Sequence, residues 1–361
     1  MKRILVVRND KLGDFMLAWP ALAWLKHVSQ AHISVLVPAY TASIARLCPS
    51  VDDVIVDPGS KVGRGSYQAL VKQIKALKFD AAIALFSNGR NAILLWQSGI
   101  PKRFAPATKW AQCLYTHRLR QRRSQSTQPE WVYNVDLVKF ALTKLGYSAS
   151  QISQANQVIT PPYLHFAAVD LAQTRALVAQ ALNLNATHQW LIVHPGSGGS
   201  ARNLVLAQYA QFIQAFMTRL QQNPYYHQHP MDVMVTAGPG ETEAAQTLVK
   251  ALVEKGISAA ALATQTGLPD FARVIANGAL FFASSTGPLH IAGALNVPTI
   301  GVFTARRSAT ALRWQPLNQS GQHWPISVPD DAVDPENLAA IDWVEQGKAA
   351  SIWFQTRHTK V

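Results

Sequence analysis

Cysteine is scarce in this sequence: only Cys48 and Cys113 occur among its 361 residues. They form no Cys-x-x-Cys pair, so we expect a reducing compartment and neither a disulfide framework nor a structural zinc site. Long apolar runs are also missing, since the longest, over 15–25, is about half of the ~20 residues that span a bilayer. The apolar run near the start is too short for a signal peptide. We therefore expect a cytoplasmic chain that is not integral to the membrane.

Acidic residues are outnumbered, with 20 aspartates and glutamates against 33 lysines and arginines and a formal net charge of +13. An excess of this size favours anionic partners, such as nucleic acid, phosphorylated substrates or an anionic membrane surface. The sequence carries no helix-turn-helix, zinc-finger or RNA-recognition signature, so we do not expect a nucleic-acid partner. No Asp-x-Asp motif or histidine cluster indicates a metal site.

The chain is 48% hydrophobic, and apolar runs of strand length alternate with helical periodicity along its whole length. The predicted strands are 3–7, 33–37, 51–57, 81–86, 190–193, 232–236, 280–283 and 299–303. This alternation predicts an α/β protein with two Rossmann-like, doubly wound domains facing a cleft. We expect an N-terminal domain over 1–160 and a second domain over 161–333. A C-terminal helix over 334–361 is predicted to pack back toward the N-terminal domain.

Two loops of the first half carry candidate functional residues. The first predicted strand leads into Asp10, Lys11 and Asp14, with Gly13 before the next helix. An ionised Asp14 at a helix start could act as a general base or simply cap the helix. Because this turn has one glycine, it does not match the dinucleotide-binding pattern G-x-G-x-x-G. A later basic run contains Arg118, Arg120, Arg122 and Arg123, and it is either an anion-binding segment or a solvated loop.

Three loops of the second half also follow predicted strands. The first contains Ser197 and Arg202 among glycines, a composition suited to phosphate. The second contains Glu241 near a helix start, as a ribose contact or as a first-turn acidic residue. The third runs through Ser285, Thr286 and Gly287 to His290, and its strand-to-helix turn predicts an anion site. His290 could face the anion or lie in the core.

These segments occur in an order that resembles glycosyltransferase family 9, the heptosyltransferases of lipopolysaccharide core assembly. The resemblance rests on Arg8-Asn9-Asp10 with Gly13-Asp14, the loop over 194–198, Gly238-Pro239-Gly240-Glu241, and the run over 286–292 followed by Val297-Pro298-Thr299. It covers almost the whole chain.

The resemblance implies a GT-B fold and an inverting, metal-independent enzyme without a cofactor. It implies a nucleotide-sugar donor, with ADP-heptose favoured, bound by the second domain through Ser197, Arg202, Glu241, Ser285, Thr286, Gly287 and His290. Asp14 would be the general base. The acceptor would be an anionic glycolipid at the inner face of the inner membrane, and the basic residues with Asp10 and Lys11 would bind it.

The sequence departs from the family pattern at three places. Ser285 stands where the family usually has an aspartate, Asn203-Leu204 follows Arg202 in place of an aromatic and a tryptophan, and the segment over 264–267 gives no adenine signature. Two alternatives therefore stay open. One is a nucleotide-sugar epimerase or hydrolase on the same scaffold, and the other is a relative that binds nucleotide or glycan without catalysis.

Overall fold

The computed structural model describes residues 1–107, 110–157, 159–196, 198, 202–263 and 267–357. The chain divides into two compact units, Met1–Leu164 and His165–Val361. The first unit ends four residues beyond the predicted domain boundary at residue 160. There the chain passes from the first sheet to the second.

The described residues of the first unit form one parallel sheet and seven α-helices. Its strands are β1 (Arg3–Val7), β2 (His32–Pro38), β3 (Asp53–Asp57), β4 (Ala81–Ala84), β5 (Lys102–Pro106) and β6 (His117–Leu119). They lie in the order β3-β2-β1-β4-β5-β6. Its helices are α1 (Leu12–Met16), α2 (Trp19–Ser29), α3 (Ala42–Ala45), α4 (Arg64–Ala76), α5 (Gly89–Gln97), α6 (Glu130–Lys144) and α7 (Ala149–Gln154).

The second unit repeats this topology. Its strands are β7 (Gln189–His194), β8 (Met231–Ala237), β9 (Ala259–Ala263), β10 (Leu280–Ser284), β11 (Thr299–Phe303) and β12 (His323–Ser327). They lie in the order β12-β11-β10-β7-β8-β9. Its helices are α8 (Ala168–Leu182), α9 (Leu206–Gln221), α10 (Tyr225–Gln228), α11 (Thr242–Val253), α12 (Leu268–Ala276), α13 (Gly287–Ala294) and α14 (Trp343–Gln355).

The central strands of both sheets are buried along their length, as expected of parallel strands covered on both faces. Strand order reverses between β1 and β4 in the first unit and between β7 and β10 in the second. Open α/β sheets bind ligands at such switch points, outside the carboxyl ends of the strands. The loops that follow these four strands are therefore the places to look for a site.

The predicted fold class of two Rossmann-like, doubly wound domains is confirmed, but several elements differ from their predictions. After β1 the chain forms two helices, α1 and α2, rather than one continuous helix, and Pro20, which lacks an N–H, lies in the first turn of α2. The basic run, for which an anion-binding segment and a solvated loop were the two alternatives, contains β6, a short strand that pairs with β5.

The C-terminal helix begins at Trp343, later than the predicted start near 334. The side chain of Asp342 caps it by accepting from the backbone N–H groups of Val344 and Glu345. This helix packs along α9 within the second unit. Its packing toward the N-terminal domain stays a prediction. Over the ranges that the structure describes, no helix has the length and apolar character needed to cross a membrane.

Candidate active site

A buried arginine organises the carboxylates at the end of β1. Arg8 is 3% exposed, and its Nε lies 3.0 Å from Oδ1 of Asp10. Its Nη2 donates a short hydrogen bond to Oδ1 of Asp14, in the first turn of α1. Both aspartate side chains are 14% exposed, so a ligand can still reach them. Asp10 and Asp14 therefore belong to one cluster, although the sequence predicted different roles for them, Asp14 as the general base and Asp10 as an acceptor contact.

Helix α6 contributes two residues, Glu130 and Asn134, to this cluster. Glu130 is 2% exposed and lies 3.3 Å from Nη1 of Arg8 and 2.7 Å from Nη1 of Arg123. Asn134 accepts from Nη1 of Arg8 at 3.2 Å and donates to the carbonyl oxygen of Leu17 at 3.1 Å. These contacts tie the loop after β1, the segment around Arg123 and the end of α1 to α6. Arg123, one of the predicted acceptor residues, thus pairs with a buried glutamate of the cluster.

The cluster has three carboxylates, of Asp10, Asp14 and Glu130, and two guanidinium groups, of Arg8 and Arg123. Burial, together with the charges of Asp14 and Glu130, raises the pKa of Asp10 to about 7 against the opposing effect of Arg8. The same three carboxylates raise the pKa of Arg8 above its usual value despite its burial. A proton on Asp10 balances the charges of the cluster, because three negative charges otherwise face two positive ones.

A second polar cluster lies at the same edge of the sheet. Arg90, near the start of α5, holds Asp57 with two hydrogen bonds of 2.6 and 2.7 Å. Asn9 donates to Asp57 and exchanges hydrogen bonds with Asn91 at 2.7 and 2.9 Å. This cluster fixes the main chain beside Asp10, whose carbonyl oxygen accepts from the hydroxyl of Tyr40 at 2.9 Å. The loop that carries both aspartates is thereby held on two sides.

Three of the remaining predicted acceptor residues lie on or near the edge strand β6. Arg118 is on β6, while Arg120 and Arg122 follow it, and all three are exposed. His117 turns inward instead and stacks on Phe104, with 4.6 Å between ring centroids. Lys11 is exposed and immediately precedes α1. The structure places these cations at the surface, where Arg123 alone of the predicted arginines is drawn into the cluster.

In the second unit, the carboxylate of Glu241 contacts the two glycine-containing loops that follow β7 and β8. Its carboxylate accepts from the backbone N–H of Gly198 at 3.2 Å and from that of Gly238 at 3.1 Å. A Cβ atom on Gly196 would lie 1.8 Å from Oε2 of Glu241, so only glycine leaves room for this carboxylate. Glu241 also lines a pocket of about 500 Å³ with Pro195, Gly196, Gly198, Asn203, Leu204, Val205, Leu206 and Ala244.

His194 supports this pocket from the end of β7. Its Nδ1 lies 2.9 Å from the hydroxyl of Thr236, and its Nε2 lies 4.0 Å from Oε2 of Glu241. Burial lowers the pKa of His194 to about 4 against the opposing effect of Glu241, so the imidazole is neutral at pH 7. His194 lies in the loop over 194–198, on which the family resemblance partly rests, but no role was predicted for it.

The turn between β10 and α13 carries the third group of predicted residues. Thr286 precedes α13 and is 3% exposed, and within the described ranges its hydroxyl has no hydrogen-bond partner. The N–H groups at the start of α13, which begins at Gly287, are typical of an anion site. Ser285 donates its backbone N–H to Val302 at 3.1 Å and is half-buried.

His290 lies one turn into α13 and is 2% exposed. Burial lowers its pKa to about 3, with a smaller contribution from His323, so it carries no positive charge at pH 7. Among the described residues, its Nδ1 has no hydrogen-bond partner. His290 can therefore offer a hydrogen bond but not a cationic contact.

Arg202 lies at the surface, with 68% of its side chain exposed, and pairs with Glu336 at 3.3 Å. Glu336 also pairs with Arg306 at 3.2 Å, and neither residue was among the predicted site residues. Ser197 lies outside the described residues. Within the part of the chain that the structure describes, no group of three or more histidine, cysteine, aspartate or glutamate side chains could hold a metal ion.

Comparison with known proteins places this geometry in a family. The profile of glycosyltransferase family 9 (heptosyltransferase) matches residues 67–326. A Haemophilus influenzae protein named "Putative glycosyltransferase" is 43% identical over 342 residues, which cover 94% of this chain and 93% of that protein.

Two solved structures share the fold. A family 9 glycosyl transferase from Veillonella parvula has a TM-score of 0.76 and 18% identity, over 98% of each chain. The E. coli ADP-heptose lps heptosyltransferase II has a TM-score of 0.74 and 18% identity, over 99% of this chain and 100% of that one. The chain is a glycosyltransferase and belongs to glycosyltransferase family 9, the heptosyltransferase family.

Proposed function

We propose that this chain transfers a heptose from ADP-heptose to an anionic glycolipid of the lipopolysaccharide core, with inversion and without a metal. The observation that carries the proposal is the partly exposed Asp14 carboxylate, oriented by Arg8 at the carboxyl edge of the first sheet. Arg8 contacts Oδ1, so Oδ2 is the oxygen that can accept a proton from the acceptor hydroxyl. General-base help of this kind contributes ~10²–10⁴-fold to a rate.

Inversion follows from a single displacement. As Asp14 removes the proton, the acceptor oxygen attacks the anomeric carbon, and the bond to the nucleoside diphosphate breaks on the opposite face. Asp10 is the group beside Asp14 that can hold a proton near neutral pH, because burial raises its pKa to about 7. The exposed Arg118, Arg120 and Arg122 suit the phosphate groups of an anionic acceptor.

The second unit supplies the chemistry for a nucleotide donor. A pocket of about 500 Å³ is of the size that small ligands occupy. Glu241 at its wall can accept hydrogen bonds from ribose hydroxyls. The Thr286 hydroxyl, the N–H groups at the start of α13 and Arg202 can stabilise the charge of the departing diphosphate without a metal. ADP-heptose is favoured because the E. coli relative of the same fold is named for that donor.

Association with the cytoplasmic face of the inner membrane belongs to the same proposal. The acceptor is a membrane glycolipid, and an anionic leaflet attracts basic segments by about 1 kcal/mol per Lys or Arg near the surface. The net charge of +13 and the exposed arginines around β6 support such peripheral binding.

The test measures heptose transfer and ADP binding for Asp14→Asn. We expect transfer to fall by ~10²–10⁴-fold while the Kd for ADP stays within twofold, because the base acts on the acceptor. Asp136→Asn, on α6 beyond the cluster, is the matched control and should keep the wild-type rate.

Each outcome has a distinct meaning. Unchanged transfer in Asp14→Asn would remove Asp14 from the mechanism. Donor consumed without an acceptor would favour the hydrolase or epimerase alternative. ADP binding with no turnover in the wild type would favour the non-catalytic relative that Ser285 leaves open.

A further inference from the structure

Two arginines that are distant in the sequence lie on either side of β10. Arg202 follows β7 and Arg306 follows β11, and both of these strands pair with β10. Strand β10 ends at Ser284, two residues before Thr286, which immediately precedes α13. The two arginines thus follow the two neighbours of the strand whose turn has the features of an anion site.

A single carboxylate joins the two arginines. Oε2 of Glu336 accepts from Nε and Nη2 of Arg202 at 3.4 and 3.3 Å, and its Oε1 accepts from Nη1 of Arg306 at 3.2 Å. The main chain beside Glu336 is fixed, because its N–H donates to Asp334 at 2.8 Å and the Pro335 carbonyl accepts from Ala305 at 2.8 Å. The carboxylate therefore occupies a defined place between the guanidinium groups.

The ion pairs of Glu336 with Arg202 and Arg306 are weak enough for an anionic ligand to replace the carboxylate. The side chains of Arg202 and Arg306 are 68% and 64% exposed, and ion pairs at such positions shift an equilibrium by about fivefold at most. Each guanidinium has five N–H donors, and the three contacts to Glu336 leave most of them available. A diphosphate offers more charge and more acceptor oxygens than one carboxylate, and its contacts to arginine are the stronger, bidentate kind.

We propose that Arg306 is the second arginine of the donor diphosphate site, together with Arg202, and that Glu336 occupies both arginines until the diphosphate displaces it. This inference rests on the proposed function, since the anion is the diphosphate of its nucleotide donor. Glu336 then acts as an internal stand-in for the anion. It keeps two exposed cations oriented toward one point when the donor is absent.

The experiment measures binding of ADP, inorganic pyrophosphate and adenosine to the full chain by calorimetry. Arg306→Ala should weaken ADP and pyrophosphate about tenfold or more, as expected for loss of a charge-assisted contact. Glu336→Gln should tighten both by up to about fivefold, because it removes the competing carboxylate. Adenosine binding should be unchanged in both variants, since adenosine carries no phosphate. Arg219→Ala, at the far end of α9, removes the same charge elsewhere and should match the wild type.

The outcomes separate this inference from the proposed function. If Arg306→Ala binds ADP and pyrophosphate like the wild type, the inference is wrong while the donor site stands. Weaker ADP binding in Glu336→Gln would overturn the displacement role. Pyrophosphate binding that depends on Arg306, in a protein that does not bind ADP, would keep the anion site and remove the nucleotide donor. Wild-type protein that binds neither ligand would overturn both proposals.

Discussion

Arg8 determines what the first unit can do at its candidate catalytic residue. It is buried, and a buried guanidinium without partners would be costly, so its contacts to three carboxylates offset its desolvation. These contacts come from the loop after β1, from α1 and from α6. Replacing Arg8 would therefore leave several buried carboxylates facing one another. The proposed general base depends on this arginine as much as on its own carboxyl group.

The titration of Asp10 gives a prediction about stability. Its pKa is raised from 3.8 to about 7 in the folded chain, so folding takes up a proton between these values. Asp10 therefore contributes fully to the free energy of unfolding below about pH 4, where it is protonated. This contribution is lost as the pH rises through about 7. The variant Asp10→Asn has no carboxyl group at this position, so it does not lose this contribution as the pH rises. We expect the free energy of unfolding of the variant, minus that of the wild type, to increase steadily from pH 4 to pH 7.5.

Urea unfolding at several pH values measures this difference, with Asp170→Asn on α8 as an exposed control in the other unit. Arg8, Asp14, Glu130 and Tyr40 surround Asp10 and are present in both proteins, so the difference between the two curves reports the replacement of Asp10. A difference that stays constant with pH would show that Asp10 is ionised throughout the range.

At the candidate site, sequence patterns indicated which segments carry the polar residues, but they did not indicate which residues pair with one another. The segments around Asp14, Glu241 and Thr286 were found because each follows a strand, where parallel sheets expose their carboxyl ends. The pairing of Arg8 with Glu130 could not be found in this way, because it joins positions 122 residues apart. The same holds for Glu336, whose importance comes from two loops that meet only in the folded chain.

At the level of elements, strongly apolar strands were predictable and weakly patterned ones were not. The runs that became β1, β8 and β11 are rich in valine, isoleucine and other buried residues. Strand β6 has only three residues, and β9 reads Ala-Ala-Ala-Leu-Ala, a composition that favours helix. Both lie at sheet edges, so pairing with one neighbour decides their structure.

The contact between α14 and α9 depends on a glycine. A Cβ atom on Gly347 would lie 2.5 Å from the carbonyl oxygen of Phe212 and 2.9 Å from Cβ of Ala215. Alanine favours a helix by about 1 kcal/mol over glycine. Overpacking costs ~1–3 kcal/mol, and here the close atoms include main chain that cannot rotate away. We expect Gly347→Ala to lower the free energy of unfolding of the second unit despite its better helix propensity.

Denaturant unfolding followed by tryptophan fluorescence measures this change. Gly65→Ala, in the first turn of α4, is the control, because a Cβ atom there meets nothing within 4 Å. That variant should be unchanged or slightly more stable. Equal effects of the two substitutions would mean that close packing at Gly347 does not limit the helix pair.

At the scale of the whole molecule, the chain repeats one topology and assigns each copy different chemistry. The first unit gathers carboxylates around Arg8 and exposes arginines near β6, while the second offers glycine loops, a helix start and neutral histidines. Both sets lie at the carboxyl ends of their strands, where the fold leaves loops free to vary. Under the proposed function, the acceptor is bound by the first unit and the donor by the second.

This division predicts where a nucleotide alone slows amide hydrogen exchange. A ligand that binds only the native state suppresses the openings of the region that holds it. We expect ADP to protect the segments that follow β7, β8, β10 and β11, and to leave the loop over 8–14 exchanging as it does in the free protein. Mass spectrometry of peptides from the full chain measures this, with adenosine as the comparison that lacks phosphates. Adenosine should protect the segments after β7 and β8 more than those around Thr286 and Arg306. Protection by ADP confined to residues 1–164 would place the nucleotide in the wrong unit and reverse the proposed roles of the two sheets.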